Sequence, residues 1–230
     1  MYSAVIIETR EHKALSFVLL NFLKNLSDEW NFIIFHGNLN LNFINSIIEN
    51  ELQIYKHRFT LVHIPYDNLL RDDYSKLLVN DRIIYDNIPT ETFLIFQTDT
   101  VIFEQNKHLI NNFLKYDYVG AYLPLHDLVG NGGLSLRKKS KMLEIIDAED
   151  EDKKRTHTLE DLFFSETTKV NVYKPDKLES CVFAIENAHF YDQPFGCHKP
   201  WNDYYYKNGE INSRFCQLHP EILELYNLNQ

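Results

Sequence analysis

Phe93-Leu-Ile-Phe-Gln-Thr-Asp-Thr-Val-Ile-Phe103 is the stretch around which we interpret the fold. Its residues are mostly aromatic or β-branched, which is typical of a central strand buried on both faces. Gln97, Thr98 and Asp99 interrupt the run, so we expect them where the strand ends or breaks. Open α/β sheets bind ligands at that edge, and a carboxylate there can hold a hard divalent cation. A structural role for Asp99, as the cap of a turn, stays open at this point.

Strand and helix patterns alternate on both sides of this run. Before it, apolar runs predict strands over residues 4–7, 30–35 and 59–64, and helical spacing predicts helices over 14–24, 42–49 and 72–84. After it, we expect helices over 107–115, 138–147, 158–165 and 220–228, with strands over 118–122, 134–137 and 182–186. We expect a mobile charged loop over 149–155 and a rigid loop over 194–201. The alternation predicts an α/β fold with a mostly parallel central sheet flanked by helices.

Length and composition limit the class of protein. The chain has 230 residues and no visible repeat or linker, which predicts a single domain over residues 1–230. A net charge of -10 disfavours nucleic acid and anionic membranes as partners. The three cysteines have no Cys-x-x-Cys spacing, which favours a reducing compartment and no zinc cluster. We find neither a signal peptide nor a transmembrane run, and therefore expect a cytoplasmic protein.

Three further stretches carry side chains suited to chemistry. Gly130-Asn131-Gly132-Gly133 is the one glycine cluster of the sequence. It would let a substrate approach the backbone, or simply form a tight turn. Nearby Arg137, Lys138 and Lys139 would reach a phosphate or be exposed to solvent.

The other two stretches supply carboxylates and an imidazole. Glu160 and Asp161 are adjacent near a predicted helix start, so their side chains diverge and one can face a site. A carboxylate placed there can take a proton from a hydroxyl, or it can cap the helix, with Thr158 as N-cap. His198 lies between Gly196 and Pro200, and imidazole is a frequent metal ligand, although a single histidine is more often structural.

The order of these motifs resembles a family of uncharacterised domains that are similar to glycosyltransferases of the GT-A fold and occur in giant viruses, bacteria and fungi. The resemblance rests on Gln-Thr-Asp-Thr at 97–100, Val-Gly-Asn-Gly-Gly-Leu-Ser-Leu-Arg at 129–137, Glu-Asp-Leu-Phe-Phe-Ser at 160–165 and Pro-Phe-Gly-Cys-His-Lys-Pro-Trp at 194–201. Ile-Glu-Thr-Arg at 7–10 and Lys-Tyr-Asp-Tyr-Val-Gly-Ala at 115–121 extend it over essentially the whole chain. A viral source agrees with the Asn-, Lys- and Ile-rich usage and would imply the host cytoplasm.

The resemblance implies roles for individual residues. Asp99 and His198 would hold Mn²⁺ or Mg²⁺ together with the diphosphate of a nucleotide sugar, although threonine stands where a second aspartate of the Asp-x-Asp motif would be expected. Asp161, or less favourably Glu160, would be the general base of an inverting reaction. The donor and substrate would contact Glu8, Thr9, Arg10, Gln97, Thr98, Asn131, Gly132 and Gly133.

The function implied is transfer of a sugar from a nucleotide sugar, with a UDP-sugar as the expected donor, to a glycan or other hydroxyl acceptor. A binding module of the same fold without catalysis is the alternative. A nucleotidyltransferase is a weaker third option, because residues 8–10 do not form its Gly-rich basic loop. The aromatic residues Trp201, Tyr204, Tyr205 and Tyr206 would either stack on a sugar ring or pack against the core.

Overall fold

The computed structural model describes residues 1–157, 159–186, 191–201 and 213–230. Its strands are β1 (Tyr2–Glu8), β2 (Trp30–His36), β3 (Phe59–His63), β4 (Thr92–Phe96), β5 (Thr100–Ile102), β6 (Tyr118–Gly120), β7 (Tyr122–Leu123), β8 (Leu128–Val129), β9 (Leu134–Lys138), β10 (Ala184–Ile185) and β11 (Gly196–His198). Its helices are α1 (Leu15–Asn25), α2 (Leu41–Asn50), α3 (Arg71–Asn80), α4 (Ile83–Asp86), α5 (Ile110–Phe113), α6 (Lys139–Ala148), α7 (Glu151–Thr156), α8 (Glu160–Ser165), α9 (Lys177–Phe183), α10 (Ser213–Leu218) and α11 (Glu221–Leu228). Two short 3₁₀ helices cover Gln53–Arg58 and Glu104–Leu109.

A six-stranded sheet forms the centre, in the order β3-β2-β1-β4-β9-β6. The first four strands are parallel, whereas β9 runs antiparallel to both β4 and β6. The predicted α/β architecture with a mostly parallel sheet is therefore confirmed. Because β1, β2 and β4 end at the same edge, the residues that follow them lie near one another, as the site below requires.

Two hydrophobic cores cover the two faces of this sheet. Ala4 and Ile6 of β1 face the core formed with α1, α2 and α11, while Val5 and Ile7 face the core formed with α3, α4, α6 and α8. Successive side chains of a strand point to opposite faces, so a strand covered on both sides must be apolar at every position. This requirement explains the continuous apolar runs of β1, β2 and β4.

The central run is interrupted as predicted. β4 ends at Phe96, and the chain then leaves the large sheet through a turn in which Thr100 N–H donates to the Gln97 carbonyl at 3.2 Å. Thr100–Ile102 starts a separate sheet of order β10-β11-β5, in which Thr100 lies opposite His198. The segment over 194–201, predicted as a loop, therefore contains the strand β11, and this pairing brings Asp99 next to His198.

Several boundaries differ from those predicted. The charged run over 149–155 was expected to be a mobile loop, but Glu151–Thr156 forms α7, stabilised by ion pairs three and four residues apart. The helix predicted over 72–84 is divided at Asp81 into α3 and α4, and the one over 107–115 begins as a 3₁₀ turn. Only Ala184 and Ile185 of the strand predicted over 182–186 are extended, because α9 continues to Phe183. Thr158 lies outside the described residues.

None of the helices within the described ranges combines the length and the apolar character that crossing a bilayer requires.

Candidate active site

A cavity of about 670 Å³ lies at the edge of the sheet where β4 ends. Its wall is built from α3, the turn after β4, the segment between β7 and β8, residues 131–133 and the start of α8. Glu186, which follows β10, and His198 and Lys199 at the end of β11 complete it. The volume lies within the range of about 300–1,000 Å³ found for small-molecule sites. Of the predicted site residues, Gln97, Asn131, Gly132, Gly133, Glu160, Asp161 and His198 line this cavity.

Asp99 and His198 form the first pair of the site. His198 Nε2 lies 3.2 Å from Asp99 Oδ1, but the two atoms are not aligned for a hydrogen bond, and both are buried without a hydrogen-bond partner among the described residues. The other carboxylate oxygen of Asp99 lies 3.4 Å from Lys199 Nζ. The Lys199 backbone N–H also donates to the Asp99 carbonyl at 3.0 Å, which fixes the two segments together.

The second ring nitrogen of His198 is held by Asn131 and Glu186. His198 Nδ1 lies 3.0 Å from Asn131 Oδ1 and 3.2 Å from Glu186 Oε1, and Asn131 Nδ2 donates to Glu186 Oε2 at 2.7 Å. Because both neighbours accept at Nδ1, the geometry assigns a proton to that nitrogen. The sequence analysis did not identify Glu186, although it follows an apolar run just as Asp99 does.

Burial and charge compete at this pair. Burial alone would lower the pKa of His198, but the carboxylates of Asp99 and Glu186 outweigh it and raise that pKa to about 9. Burial would raise the pKa of Asp99, whereas the positive charges of His198 and Lys199 hold it well below its usual range. Without a further cation, the pair is therefore held together as imidazolium and carboxylate.

The same geometry fits a divalent cation. A histidine that ligates a metal usually donates its other N–H to a carboxylate or carbonyl, which is the arrangement that Asn131 and Glu186 give His198. Neighbouring ligands of an octahedral cation at about 2.1 Å lie about 3 Å apart, close to the separation of the two orphaned atoms. Within the described ranges no three His, Cys, Asp or Glu side chains form a metal-binding group, so Asp99 and His198 would supply two ligands and phosphate oxygens or water the others.

Glu160, which lines the cavity, forms a buried ion pair with Arg137. Arg137 Nη2 donates to both carboxylate oxygens of Glu160, at 3.1 and 2.9 Å, and Arg137 Nε donates to Ser135 Oγ at 2.9 Å. The guanidinium also lies over the rings of Tyr118 and Phe164, at 5.0 and 5.4 Å. Arg137 was predicted either to reach a phosphate or to be exposed; it does neither, because this pair occupies it inside the core.

Asp161 is the acidic residue of α8 that remains available to the cavity. Neighbouring side chains of a helix point in different directions, so with Glu160 directed at Arg137 the half-buried Asp161 faces the open space. Its Oδ1 accepts a hydrogen bond of 2.8 Å from the Leu162 backbone N–H. Burial raises the pKa of Asp161 above its usual range, and the charge of Glu186 raises it further. A carboxylate in this position is suited to general-base chemistry.

Two glycines of the cluster leave space for site side chains. A Cβ at Gly132 would lie 1.7 Å from Glu160 Oε1, and a Cβ at Gly133 would lie 2.3 Å from the His198 ring. Such contacts are far shorter than real carbon contacts, so any larger residue would displace these side chains. The absence of side chains at Gly132 and Gly133 thus leaves the space that Glu160 and His198 occupy.

Residues 8–10, which were predicted to contact the donor, form hydrogen bonds with other groups of the protein. Glu8 accepts hydrogen bonds from Arg10 Nε and Nη2, both at 2.8 Å, and Thr9 Oγ1 accepts one of 2.9 Å from the Leu69 backbone N–H. Thr9 is buried, whereas the Arg10 side chain is 53% exposed. The negative charge of Asp99 contributes to raising the pKa of Arg10. Arg10 is therefore the member of this group that can meet a ligand.

The remaining residues predicted to contact the donor or a sugar do not all lie at the cavity. Gln97 lines the cavity, but Thr98 is buried and its carbonyl accepts from Asn229 Nδ2 at 3.0 Å. Trp201 packs edge-to-face on Tyr226 of α11, with ring centroids 5.4 Å apart. Tyr204, Tyr205 and Tyr206 lie outside the described residues.

Comparisons with solved structures identify the fold. The galactosyltransferase LgtC, solved in complex with donor and acceptor sugar analogues, superposes with a TM-score of 0.63 at 10% sequence identity, covering 99% of this chain and 95% of that chain. The glycosyltransferase GlyE of Streptococcus pneumoniae TIGR4 gives a TM-score of 0.59 at 10% identity, covering 99% of this chain and 63% of GlyE. The fold is therefore that of GT-A glycosyltransferases, as the sequence resemblance implied.

Comparison with families of sequences gives the relationship of the chain itself. No curated protein matches the sequence. The model of the family described as "Protein of unknown function (DUF5672)" matches residues 58–198. This range begins just before β3, ends at His198, and contains Asp99, the glycine cluster and both carboxylates of α8. This match covers more than half of the sequence, and the chain belongs to the DUF5672 family.

Proposed function

We propose that the protein is an inverting glycosyltransferase that moves a sugar from a nucleotide sugar to an acceptor hydroxyl, with residues 1–230 acting as one catalytic unit. The observation that carries the proposal is that one cavity is lined both by His198, the partner of Asp99, and by Asp161, a half-buried carboxylate of raised pKa. The GT-A fold supports the same class of reaction. A UDP-sugar is the donor that we propose.

Asp161 is the base in this proposal. It accepts the proton of the acceptor hydroxyl, and the oxygen forms a bond to the anomeric carbon on the face opposite the nucleotide. The bond between that carbon and the diphosphate breaks, and its electron pair leaves with the diphosphate. A carboxylate with a raised pKa takes the proton more readily than an ordinary aspartate.

Asp99 and His198 would hold Mn²⁺ or Mg²⁺ at the diphosphate. When bound, such a cation stabilises the negative charge that develops on the leaving group. Lys199, whose Nζ is 3.4 Å from Asp99, adds a fixed positive charge beside the same position. Arg10 does not line the cavity, but its exposed side chain would supply a further positive charge for the nucleotide.

Asp161→Asn tests the assignment of the base. The amide keeps the size of the side chain but cannot accept the proton, so transfer should fall by at least about 100-fold while nucleotide-sugar binding is retained. Asp147→Asn, an exposed change on α6, is the matched control and should leave both unchanged. Unchanged turnover by Asp161→Asn would remove Asp161 as the base. Donor binding by the wild type without transfer to any acceptor would favour the binding-module alternative.

A further inference from the structure

Tyr74 of α3 presents a polar atom that the fold does not satisfy. Its side chain lines the cavity, and its hydroxyl oxygen is buried without a hydrogen-bond partner among the described residues. The Gln97 side chain lies close enough to lower the pKa of Tyr74, but it is not in hydrogen-bonding geometry with the hydroxyl. A buried hydroxyl without a partner costs free energy, and native structures keep such groups mainly where a ligand or ordered water meets them.

The surroundings of the Tyr74 hydroxyl keep it protonated and place it in the proposed site. Burial raises the pKa of Tyr74 well above its usual range, and the charges of Glu160 and Asp99 raise it further. Tyr74 lines the same cavity as Asp161 and His198. It stays neutral at physiological pH, so it has a proton to donate.

The proposed reaction fixes what must lie between Asp99 and Asp161. The diphosphate belongs beside Asp99 and the acceptor hydroxyl beside Asp161, and the transferred sugar joins the two. We propose that the Tyr74 hydroxyl donates a hydrogen bond to a hydroxyl group of the transferred sugar and so helps to select that sugar. This inference rests on the proposed function and adds a contact to the sugar rather than to the nucleotide. Before the donor binds, a water molecule can fill the same position.

Tyr74→Phe removes only the hydroxyl oxygen. Binding would be measured by calorimetry for two ligands: the nucleotide sugar that most raises the melting temperature of the wild type in a panel, and its parent nucleoside diphosphate. The variant should bind the nucleotide sugar about 3- to 10-fold more weakly, the loss of one neutral hydrogen bond, and the nucleoside diphosphate equally well. Its unliganded melting temperature should not fall, because the fold loses no hydrogen bond.

Tyr85→Phe is the matched control. Tyr85 is also buried, but its hydroxyl donates to the Leu78 carbonyl at 2.8 Å and does not line the cavity. Its removal should lower the melting temperature and leave both affinities unchanged. A Tyr74→Phe variant that binds the sugar nucleotide as well as the wild type, or that loses stability as Tyr85→Phe does, would overturn the inference alone. A wild type that binds neither ligand would instead overturn the proposed function.

Discussion

Replacing Arg137 by methionine should cost about 3–5 kcal/mol of unfolding free energy, because it leaves a buried carboxylate without its partner. The Arg137 side chain is 0% exposed and that of Glu160 is 6% exposed, so water cannot replace the two hydrogen bonds that Glu160 loses. For a chain of this length the loss corresponds to a decrease in melting temperature of roughly 6–20 °C. Urea denaturation followed by circular dichroism would measure it.

The loss of unfolding free energy in Arg137→Met should depend on pH. Burial raises the pKa of Glu160 already in the wild type, while Arg137 opposes that rise. Without Arg137 the pKa should rise further, so the folded variant takes up a proton that the unfolded chain, with a glutamate pKa of about 4.3, does not. A raised folded-state pKa contributes stability at low pH that is lost as pH rises through it. The variant should therefore be closest to wild type near pH 5 and furthest from it near pH 8.

Two controls separate this explanation from a general effect of losing an arginine. Arg82→Met removes an exposed ion pair with Asp147 and should cost no more than about 1 kcal/mol. Arg137→Met combined with Glu160→Leu removes both buried charges and should recover most of the loss. If Arg137→Met is no less stable than Arg82→Met, or if the double variant recovers no stability, Arg137 does not stabilise the fold by pairing with the buried carboxylate of Glu160.

Three further outcomes are expected. Gly132→Ala should lower stability by about 1–3 kcal/mol in urea denaturation, since its Cβ would lie 1.7 Å from Glu160 Oε1; wild-type stability would contradict the close packing. Asp99→Asn should abolish the part of the nucleotide-sugar thermal shift that EDTA removes from the wild type, and a shift that remains EDTA-sensitive would exclude Asp99 as a ligand. The acid limb of the kcat/KM profile should lie above the ordinary aspartate pKa of about 3.9, because Asp161 acts deprotonated and burial raises its pKa. A limb at the ordinary value would contradict that environment.

The parallel strands of the large sheet could be predicted from the sequence for a physical reason. Strands β1, β2 and β4 are covered on both faces, so they are apolar without interruption and stand out from their surroundings. Helix α7 was missed because its apolar contacts are few; ion pairs between neighbouring turns stabilise it, and those do not distinguish a helix from a solvated loop in a sequence.

The proximity of some candidate residues could be expected from residue type and position, whereas their roles stay a prediction. Asp99 follows a buried strand, and the motif resemblance joined it with His198; the structure places the two 3.2 Å apart. Glu186 and Tyr74 were not identified as site residues, and Arg137 was expected to reach a phosphate or to be exposed, because the positions of all three depend on tertiary contacts. Arginine is usually exposed, and nothing in the sequence shows that Arg137 meets a carboxylate 23 residues away inside the core.

A transfer assay across nucleotide sugars tests the central claim most directly. Wild type and Asp161→Asn would each be incubated with a panel of nucleotide sugars, with Mn²⁺, with Mg²⁺ and with EDTA, while melting temperature and released nucleoside diphosphate are recorded. The proposed function predicts that one nucleotide sugar raises the melting temperature of both proteins and that only the wild type releases the nucleotide. If no nucleotide or nucleotide sugar shifts the melting temperature under any of these conditions, the assignment of a donor site to Asp99 and His198 is wrong.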